Sequence, residues 1–445
     1  MDESTPAALA ARIVAALRQG SHQAWLVGGC VRDRLLGIEP KDFDVATSAR
    51  PEQVLALFPD SEIVGAHFGV IIVKQHGCHV EVSTFRSDSS YSDGRRPDAV
   101  TFETSPEKDA LRRDFTINAL FLDPLSGEVL DFVGGRSDLA AGLVRAVGDP
   151  LARFKEDHLR MIRAIRIAAC FGFSIHPLTF AAIAQLKSLI HNVSIERIRD
   201  ELLRILTEGG ARRGFDLLDA ASLLQELLPE VKAFQGVEQP PAFHPEGDVW
   251  THVILMLELM GTASEPLALG VLLHDIAKPP TFRIAVDRIR FDGHVELGVE
   301  MARRILGRLK CSNESTDRVS ALVAHHMRFK DVKKMKQSTL KRFLAMPHFE
   351  EHLELHRLDC LSSHRNLDNY EYALRLWRET PVEVLRPPRL ITGADLIAAG
   401  LAPGESFRDI LRAVEDAQLD GRINTREEAL ALVEDLPIVR QLRAG

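Results

Sequence analysis

The chain has 445 residues, of which 45% are hydrophobic and 27% charged, with five cysteines and a formal net charge of −8 at pH 7. This length predicts two to four domains, and the absence of an apolar run of about 18 residues predicts no membrane span. The acidic balance gives no general support for a nucleic-acid partner, and five cysteines without a CxxC pair predict reduced thiols in the cytoplasm.

The first 140 residues alternate between helical and strand patterns. A helical period over residues 7–18 precedes the apolar run Ala24 to Val27, which predicts a strand that ends at paired glycines. Further strands are predicted at residues 43–46, 70–73, 79–85 and 128–133, with a polar, mobile loop over residues 87–98. These elements predict a mixed α/β head.

From about residue 154 the pattern becomes almost entirely helical. Helical periodicity covers residues 161–171, 194–206, 211–228 and 250–260, with a proline-containing linker at 236–247 and a break near 386–388. The predicted fold class is therefore α+β, a small mixed sheet with helices followed by a long all-α body. We predict four domains, at residues 1–140, 141–235, 236–380 and 381–445.

The most informative stretch is the turn Gly28-Gly29, followed by Arg32 and, about ten residues later, by Asp42 and Asp44. Glycine lets the backbone approach a triphosphate, the helix start behind it offers N–H groups to an anion, and Arg32 could add a bidentate phosphate contact. Two carboxylates two apart on a strand share a face and repel unless a cation such as Mg²⁺ intervenes. A DxD pair alone is usually a surface loop or a cap, so the glycine turn carries the prediction of a triphosphate site.

Two arginine-rich clusters follow the carboxylates. Arg113, Asp114 and Asn118 are predicted to lie near one helical face. A second cluster recurs at every third residue and predicts one polar stripe on a helix: Asp157, Arg160, Arg163 and Arg166. Arginines on one face need anionic partners, which phosphate or the edge of a base would supply. A solvated or salt-bridged helix surface is the alternative for each cluster.

A series of histidines and aspartates follows the proline linker, on predicted helices: His252, His274, Asp275, His294, His325, His326 and Asp359. A single histidine is usually a core or surface residue, whereas a His-Asp pair flanked by further histidines and a distal aspartate is much rarer. Imidazole and carboxylate together suit a transition metal or magnesium, and such a centre can acidify bound water. The alternative is a domain that keeps this fold for docking RNA and does no chemistry.

The motifs GGCVRD, DFDVAT, RRDFTINA and EDHLRMIRAIR resemble, in this order, those of the class II tRNA nucleotidyltransferases, the CCA-adding enzymes and their bacterial poly(A) polymerase relatives. The resemblance covers roughly residues 22 to 230 and implies a polymerase-β-like nucleotidyltransferase head. It implies addition of C, C and A to tRNA 3′ ends from CTP and ATP without a nucleic-acid template. Poly(A) addition, CC-only addition and A-only addition remain open.

The resemblance also implies roles for individual residues. It assigns nucleotide binding to Gly28, Gly29, Arg32, Arg113, Asp114, Asn118, Asp157, Arg160, Arg163 and Arg166. Within that set, Asp157 and Arg160 would pair with the base edge of CTP or ATP, so that protein replaces a template. Asp42 and Asp44 would be the catalytic pair that holds Mg²⁺. Glu81 is a further candidate carboxylate at the metals, or a buried partner for Arg86.

The segment from Leu273 to Pro279, LHDIAKP, resembles the HD superfamily of metal-dependent phosphohydrolases. The resemblance implies a divalent metal of unknown identity, with the ligands His252, His274, Asp275 and Asp359. His294 and His325 would serve a second metal, and His326 is the alternative to His325. Expected partners are tRNA, CTP and ATP, with no membrane. Other hypotheses are an HD phosphohydrolase with an RNA-binding head and a purely structural RNA-binding protein.

Overall fold

A computed structural model describes residues 5–64, 69–89, 94, 99–286 and 288–444. The chain folds into two units. The first comprises Met1–Ala233 with the short segments Gly261–Glu265 and Gly307–Cys311, and the second comprises Phe234–Met260, Pro266–Leu306 and Ser312–Gly445. The division into four domains stays a prediction.

The first unit contains most of the strands and twelve of the helices that the described residues form. Its helices are α1 (Pro6–Gln19), α2 (Gly29–Leu35), α3 (Pro51–Leu57), α4 (Pro106–Leu111), α5 (Gly135–Ala140), α6 (Pro150–Glu156), α7 (Arg160–Phe171), α8 (Pro177–Leu186), α9 (Ile195–Thr207), α10 (Ala211–Ala220), α11 (Leu223–Leu227) and α12 (Pro229–Lys232). Its strands are β1 (Ala24–Val27), β2 (Asp44–Thr47), β3 (Glu62–Ile63), β4 (Val70–Gln75), β5 (Cys78–Thr84), β6 (Arg86–Asp88), β7 (Val100–Phe102), β8 (Phe121–Leu122), β9 (Val129–Leu130), β10 (Leu143–Val144) and β11 (Ser174–Ile175).

A seven-stranded sheet with the order β3-β4-β5-β2-β1-β8-β9 forms the head. Only β2 and β5 pair in parallel within this sheet; its other neighbours are antiparallel. The strands predicted at 24–27, 43–46, 70–73 and 79–85 are confirmed, each within a few residues. The strand predicted at 128–133 shrinks to the two residues of β9, because Asp131 accepts hydrogen bonds from the backbone N–H groups of Val133, Gly135 and Arg136 and turns the chain.

The polar segment predicted as a loop has paired ends. Strands β6 and β7 form an antiparallel ribbon in which Ser87 lies opposite Thr101. The loop prediction is therefore wrong for residues 87 and 88, which belong to β6. Residues 90–93 and 95–98 lie outside the described residues.

The helical part of the first unit packs mainly around α7. Met161, Ile162 and Ile165 on this helix are fully buried, as the sequence predicts for its core face. The helical pattern over 211–228 is divided between α10 and α11, because Ser222 adopts a left-handed backbone with a φ of 57° and interrupts the helix.

The second unit is almost entirely helical. Its helices are α13 (Val249–Met260), α14 (Glu265–Leu273), α15 (Lys278–Thr281), α16 (His294–Arg308), α17 (Asn313–His325), α18 (Gln337–Leu344), α19 (Phe349–Ser362), α20 (Asp368–Glu379), α21 (Val382–Leu385), α22 (Gly393–Ala398), α23 (Ser406–Leu419), α24 (Arg426–Asp435) and α25 (Pro437–Ala444). Strands β12 (Arg283–Ile284) and β13 (Ile289–Arg290) form a hairpin. The predicted α+β class, with a mixed-sheet head and a helical body, is confirmed. Across the described ranges, the helices are too short or too polar to cross a bilayer.

Candidate nucleotide and metal sites

The glycine turn lies between β1 and α2 and approaches the catalytic candidates closely. Gly28 has a φ of +76° and a ψ of −142°, a conformation that side-chain-bearing residues rarely adopt. A Cβ atom on Gly28 would lie 3.3 Å from Oδ2 of Asp44 and 3.7 Å from Nη1 of Arg113. A Cβ on Gly29 would lie 3.5 Å from Nη2 of Arg32. The turn therefore places bare backbone between one carboxylate and two guanidinium groups.

Three carboxylates gather beside this turn. Asp44 begins β2 and lies opposite Glu81 in the neighbouring β5, so their side chains share a face of the sheet. Asp42 lies in the bend before β2, so the prediction that both aspartates project from one strand is wrong for Asp42. Glu81 is exposed, and Arg86 instead forms an ion pair with Asp88 at 2.9 Å, so Glu81 is not a buried partner for Arg86.

The charges of these carboxylates are poorly compensated. Burial raises the pKa of Asp44 to about 6; Glu81 and Asp42 also raise this pKa, and Arg113 opposes them. In the part of the chain that the structure describes, no Lys, Arg or His lies within salt-bridge distance of Asp42, Asp44 or Glu81. Carboxylates that share a site without a counter-charge are a ligand set suited to a divalent cation.

A continuous chain of charged and polar groups runs from the glycine turn to the helical part of the unit. Arg32 donates through Nη1 to Oδ1 of Asn118 at 2.9 Å, and Asn118 donates to Asp114 at 3.2 Å. Asp114 accepts from Arg163 at 3.1 Å, and Arg163 also donates to Glu201 at 3.3 Å. The side chains that the sequence assigned to three separate motifs are therefore joined in one network.

Arg113 is held by a buried carboxylate. Its Nε and Nη2 donate to Oδ2 of Asp109 at 3.1 and 2.9 Å, and the Asp109 side chain is fully buried. The prediction of a single helical face for residues 112–119 is wrong, because α4 ends at Leu111 and Phe115 is extended. Asp109 was not identified from the sequence, although an acidic residue four positions before an arginine on a helix is a recognisable ion-pair spacing.

The polar stripe predicted for residues 157–166 is also wrong in part. Asp157 follows the last residue of α6, and α7 begins only at Arg160, so the two lie on different elements. Asp157 accepts two hydrogen bonds from Arg197, at 3.2 and 2.8 Å. Arg160 donates to Glu156 at 2.7 Å and to the carbonyl oxygen of Arg153 at 3.0 Å. Asp157 and Arg160 are thus fixed in place by protein partners.

Arg166 has a buried carboxylate partner that sequence reasoning missed. Arg166 is 6% exposed and donates from Nε to Oε2 of Glu201 at 2.5 Å. Glu201 belongs to the buried face of α9, together with Ile198 and Leu202. A charged residue inside the apolar stripe of an amphipathic helix is the signal that could have identified it. Arg166 is therefore paired with a carboxylate inside the unit and does not lie on a solvated helix surface.

The histidine–aspartate series converges in the second unit from five segments. His252 lies on α13, His294 begins α16, Asp359 lies on α19, and His326 follows the last residue of α17. His274 and Asp275 occupy the turn after α14, so their predicted position on a helix is wrong. Side chains that are more than 100 residues apart in sequence thus meet in one cluster.

The ligand atoms of this cluster form two overlapping groups. Those of His252, His274 and Asp275 lie within 4.8 Å of one another, and so do those of Asp275, His294 and His326. Oδ1 of Asp359 lies 3.3 Å from Nε2 of His252. Asp275 belongs to both groups, so the cluster has room for one or two cations.

Four imidazole nitrogens in the cluster are buried without a hydrogen-bond partner. They are the Nε2 atoms of His252, His274, His294 and His326. The contact between Asp359 and Nε2 of His252 is close, but it is not aligned as a hydrogen bond. Burial lowers the pKa of His326 to about 4, so its Nε2 lone pair is free at neutral pH. Buried polar atoms normally have partners, and convergent imidazole lone pairs fit a divalent metal.

The structure selects His326 rather than His325 for the second group. The ring centroid of His326 lies 5.5 Å from that of His294, whereas His325 lies beside His352 at 5.9 Å. His325 ends α17, and successive residues at a helix end project in different directions. The side chain of His325 therefore lies outside the second group, and that of the alternative, His326, lies within it.

A cavity of about 880 Å³ opens beside the histidine cluster. Its walls include His294, His326 and Asp359 from the cluster and the basic residues Lys278, Lys330 and Lys333. Lys278 also donates to Asp275 at 2.7 Å. The cavity has the volume of a small-molecule site, and its basic wall suits an anionic ligand.

Three sequence families match the chain in succession. Residues 24–145 match the poly A polymerase head domain, residues 172–235 the probable RNA and SrmB-binding site of polymerase A, and residues 249–359 the HD domain. The chain therefore contains, in this order, segments similar to the poly A polymerase head domain, to its probable RNA-binding site and to the HD domain. The resemblances indicated by the head motifs and by LHDIAKP are therefore confirmed.

Among the proteins similar to this chain are CCA-adding enzymes. That of Bacillus pumilus is 41% identical over 251 residues, which are 56% of this chain and 62% of that protein. That of Levilactobacillus brevis is 44% identical over 211 residues, which are 47% of this chain and 53% of that protein. The matches thus span between half and two thirds of these relatives. The crystal structure of the Bacillus stearothermophilus CCA-adding enzyme in complex with CTP is 27% identical, with a TM-score of 0.75, and the match covers 98% of this chain and 99% of that one.

Proposed function

We propose that the chain is a CCA tRNA nucleotidyltransferase, which adds C, C and A to tRNA 3′ ends from CTP and ATP without a nucleic-acid template. The observation that carries this proposal is the convergence of bare backbone at Gly28, two guanidinium groups and the uncompensated carboxylates of Asp44 and its neighbours. The similarity to CCA-adding enzymes, one of them in complex with CTP, supports the choice of substrate.

Asp42 and Asp44 are the proposed ligands of Mg²⁺, with Glu81 as a third carboxylate. Mg²⁺ bound there would supply the positive charge that favours attack by an RNA 3′ hydroxyl on the α-phosphorus and departure of pyrophosphate. Arg32 and Arg113 lie close to the glycine turn and would bind the triphosphate oxygens. None of these side chains needs to become covalently modified.

Asp157 and Arg160 are the proposed readers of the base edge. A carboxylate accepts and a guanidinium donates, which is the combination that pairs with the edges of cytosine and adenine. Arg197 and Glu156 hold the two side chains in place and would reduce the entropy lost on nucleotide binding. Gly29, Asp114, Asn118, Arg163 and Arg166 would act as the supporting part of the nucleotide site.

An incorporation assay tests this function. The purified chain, Mg²⁺ and labelled CTP and ATP are incubated with a tRNA that lacks its last three nucleotides, and the products are sized. Extension by three nucleotides that then stops is the expected result. Long oligo(A) products would favour a poly(A) polymerase, addition of two or one would favour a partial enzyme, and no incorporation would contradict the proposal.

We also propose that the HD domain binds a divalent metal and acts as a phosphohydrolase. The four unpartnered Nε2 atoms favour a metal, and the basic wall of the adjacent cavity favours an anionic substrate. His252, His274, Asp275 and Asp359 would hold the first metal, and His294 and His326, with Asp275 shared, a second. Metal analysis of the purified chain and phosphate release from phosphomonoesters and cyclic nucleotides test this function. A metal-free chain without phosphate release would favour an RNA-docking role.

We infer a four-domain organisation in which residues 1–140 catalyse, 141–235 recognise the nucleotide, 236–380 form the HD domain and 381–445 bind tRNA. A cytoplasmic location is supported by the five cysteines, all of which are free thiols. Removal of residues 381–445 should raise the KM for tRNA and leave the KM for CTP nearly unchanged.

A further inference from the structure

Glu246 forms a hydrogen-bond contact with His252, one of the candidate metal ligands. This residue lies in the loop before α13, and its side chain is only 6% exposed. One oxygen, Oε1, lies 2.7 Å from Nδ1 of His252 and 2.8 Å from Nδ1 of His244. A single buried carboxylate oxygen therefore contacts two imidazoles at once.

This contact determines that Nδ1 of His252 carries a proton. A carboxylate only accepts hydrogen bonds, so the short contact to Oε1 requires Nδ1 of His252 to be the donor. Nε2 is then the ring nitrogen left for a cation; it is buried, lies 3.3 Å from Oδ1 of Asp359 and makes no aligned hydrogen bond. Ser362 also approaches Nδ1, but its hydroxyl oxygen is 3.3 Å away, farther than Glu246.

The start of helix α13 does not depend on Glu246. Asp248 accepts from the backbone N–H of Thr251 at 2.9 Å and from that of Gly236 at 2.7 Å, as a helix-capping carboxylate does. Glu246 receives no such bonds from the first turn of α13. Its two side-chain contacts, to His244 and His252, both lie at the candidate metal site and its adjacent cavity.

We propose that Glu246 is a positioning residue of the HD metal site, which orients His252 and presents its Nε2 to a divalent cation. This inference rests on the proposed metal site. Metal-bound histidines commonly donate their other N–H to a carboxylate, and this bond fixes the ring and raises the basicity of the ligating nitrogen. Loss of such a partner weakens metal binding without removal of any ligand.

Metal affinity, not activity, tests the proposal. The full chain is stripped of metal and titrated with Co²⁺. Binding is monitored by calorimetry and by the visible absorption of the bound ion. Glu246→Ala should weaken Co²⁺ binding by about 10- to 100-fold and alter the absorption bands, because His252 can then rotate. Glu246→Gln retains one acceptor for Nδ1 and should recover part of the affinity. Glu300→Gln, an exposed change on α16, is the matched control and should bind as the unaltered chain does.

The outcomes separate this proposal from the metal site itself. Unchanged Co²⁺ affinity and spectrum in Glu246→Ala, while the unaltered chain binds Co²⁺, would overturn the role of Glu246 alone. No binding by the unaltered chain would overturn the metal site and this role with it. A larger loss in Ser362→Ala than in Glu246→Ala would assign the orienting bond to Ser362 instead. Equal melting temperatures for the variants would show that a loss of Co²⁺ affinity comes from the altered orientation of His252 and not from unfolding.

Discussion

The head site and the HD site are prepared for cations in two different ways. At the head, the carboxylates of Asp42, Asp44 and Glu81 crowd together and burial holds Asp44 in a costly charged state. In the HD domain, the candidate ligands are mostly imidazoles whose Nε2 atoms are buried without a hydrogen-bond partner. Excess charge is relieved by any small hard cation together with a triphosphate, whereas imidazole lone pairs favour a transition metal. The two sites should therefore differ in metal preference and in their response to mutation.

The largest expected effect separates the two sites. Asp42→Ala should lower the rate of nucleotide addition by at least about a thousandfold, roughly 4 kcal/mol of transition-state stabilisation, because it removes a proposed Mg²⁺ ligand. Co²⁺ binding by the HD domain should not change in the same variant. Single-turnover incorporation of labelled CTP measures the first quantity and calorimetry the second. Loss of both properties in a folded variant would show that the two sites are not independent.

The next largest effect concerns the charged network that supports the head. Glu201→Ala leaves the buried Arg166 without its carboxylate, which should lower the free energy of unfolding by about 3 to 4 kcal/mol. Glu196→Ala, on the same helix α9, breaks an exposed pair with Lys310 and should leave the free energy of unfolding almost unchanged. Chemical denaturation of both variants measures the difference. Similar values for the two would show that burial does not distinguish these ion pairs.

A third experiment sharpens the description of the HD site. His326→Ala should weaken Co²⁺ binding by about 100-fold, close to 2.7 kcal/mol, because it removes a buried ligand nitrogen. The adjacent variant His325→Ala should bind Co²⁺ as the unaltered chain does, since His325 lies beside His352 and outside the cluster. Titrations of the two metal-free variants provide the comparison. The reverse order of affinities would restore His325 as the ligand.

The smallest expected effect tests the charge excess at the head. The pKa of Asp44 is about 6 in the folded chain, against an ordinary value near 3.9, so the folded state binds this proton more tightly than the unfolded state does. The charged carboxylate therefore destabilises the fold above about pH 6, and this effect disappears as the pH falls towards 4. Asp44→Asn should raise stability in the absence of metal at pH 7 by roughly 1 to 2 kcal/mol, a value reduced for partial exposure.

The measurement for this variant is the free energy of unfolding across that pH range. Mg²⁺ should stabilise the unaltered chain more than it stabilises the Asp44→Asn variant, because only the unaltered chain retains both Asp42 and Asp44. A gain in stability that persists unchanged at pH 4 would show that the substitution acts through packing rather than through charge.

Local chemistry was predictable where the sequence pattern stays within one element. The turn at Gly28, the strand that ends there and the buried face of α7 follow from apolar spacing and from the backbone freedom of glycine. The predictions that carried a helical spacing past the end of a helix were wrong, because α6 ends before Asp157 and α4 ends before Arg113.

The sequence by itself determined which chemical groups are present and in which order, namely the triphosphate turn, the acidic pair, the arginine clusters and the His-Asp series. Only the tertiary structure decided their partners. Glu201 lies 35 residues from Arg166, and Ser362 lies 110 residues from His252. A periodic pattern specifies a direction around one helix or strand, but not which distant segment packs against it. The positions of Glu81, Glu201, Glu246 and His326 were therefore fixed by packing between elements.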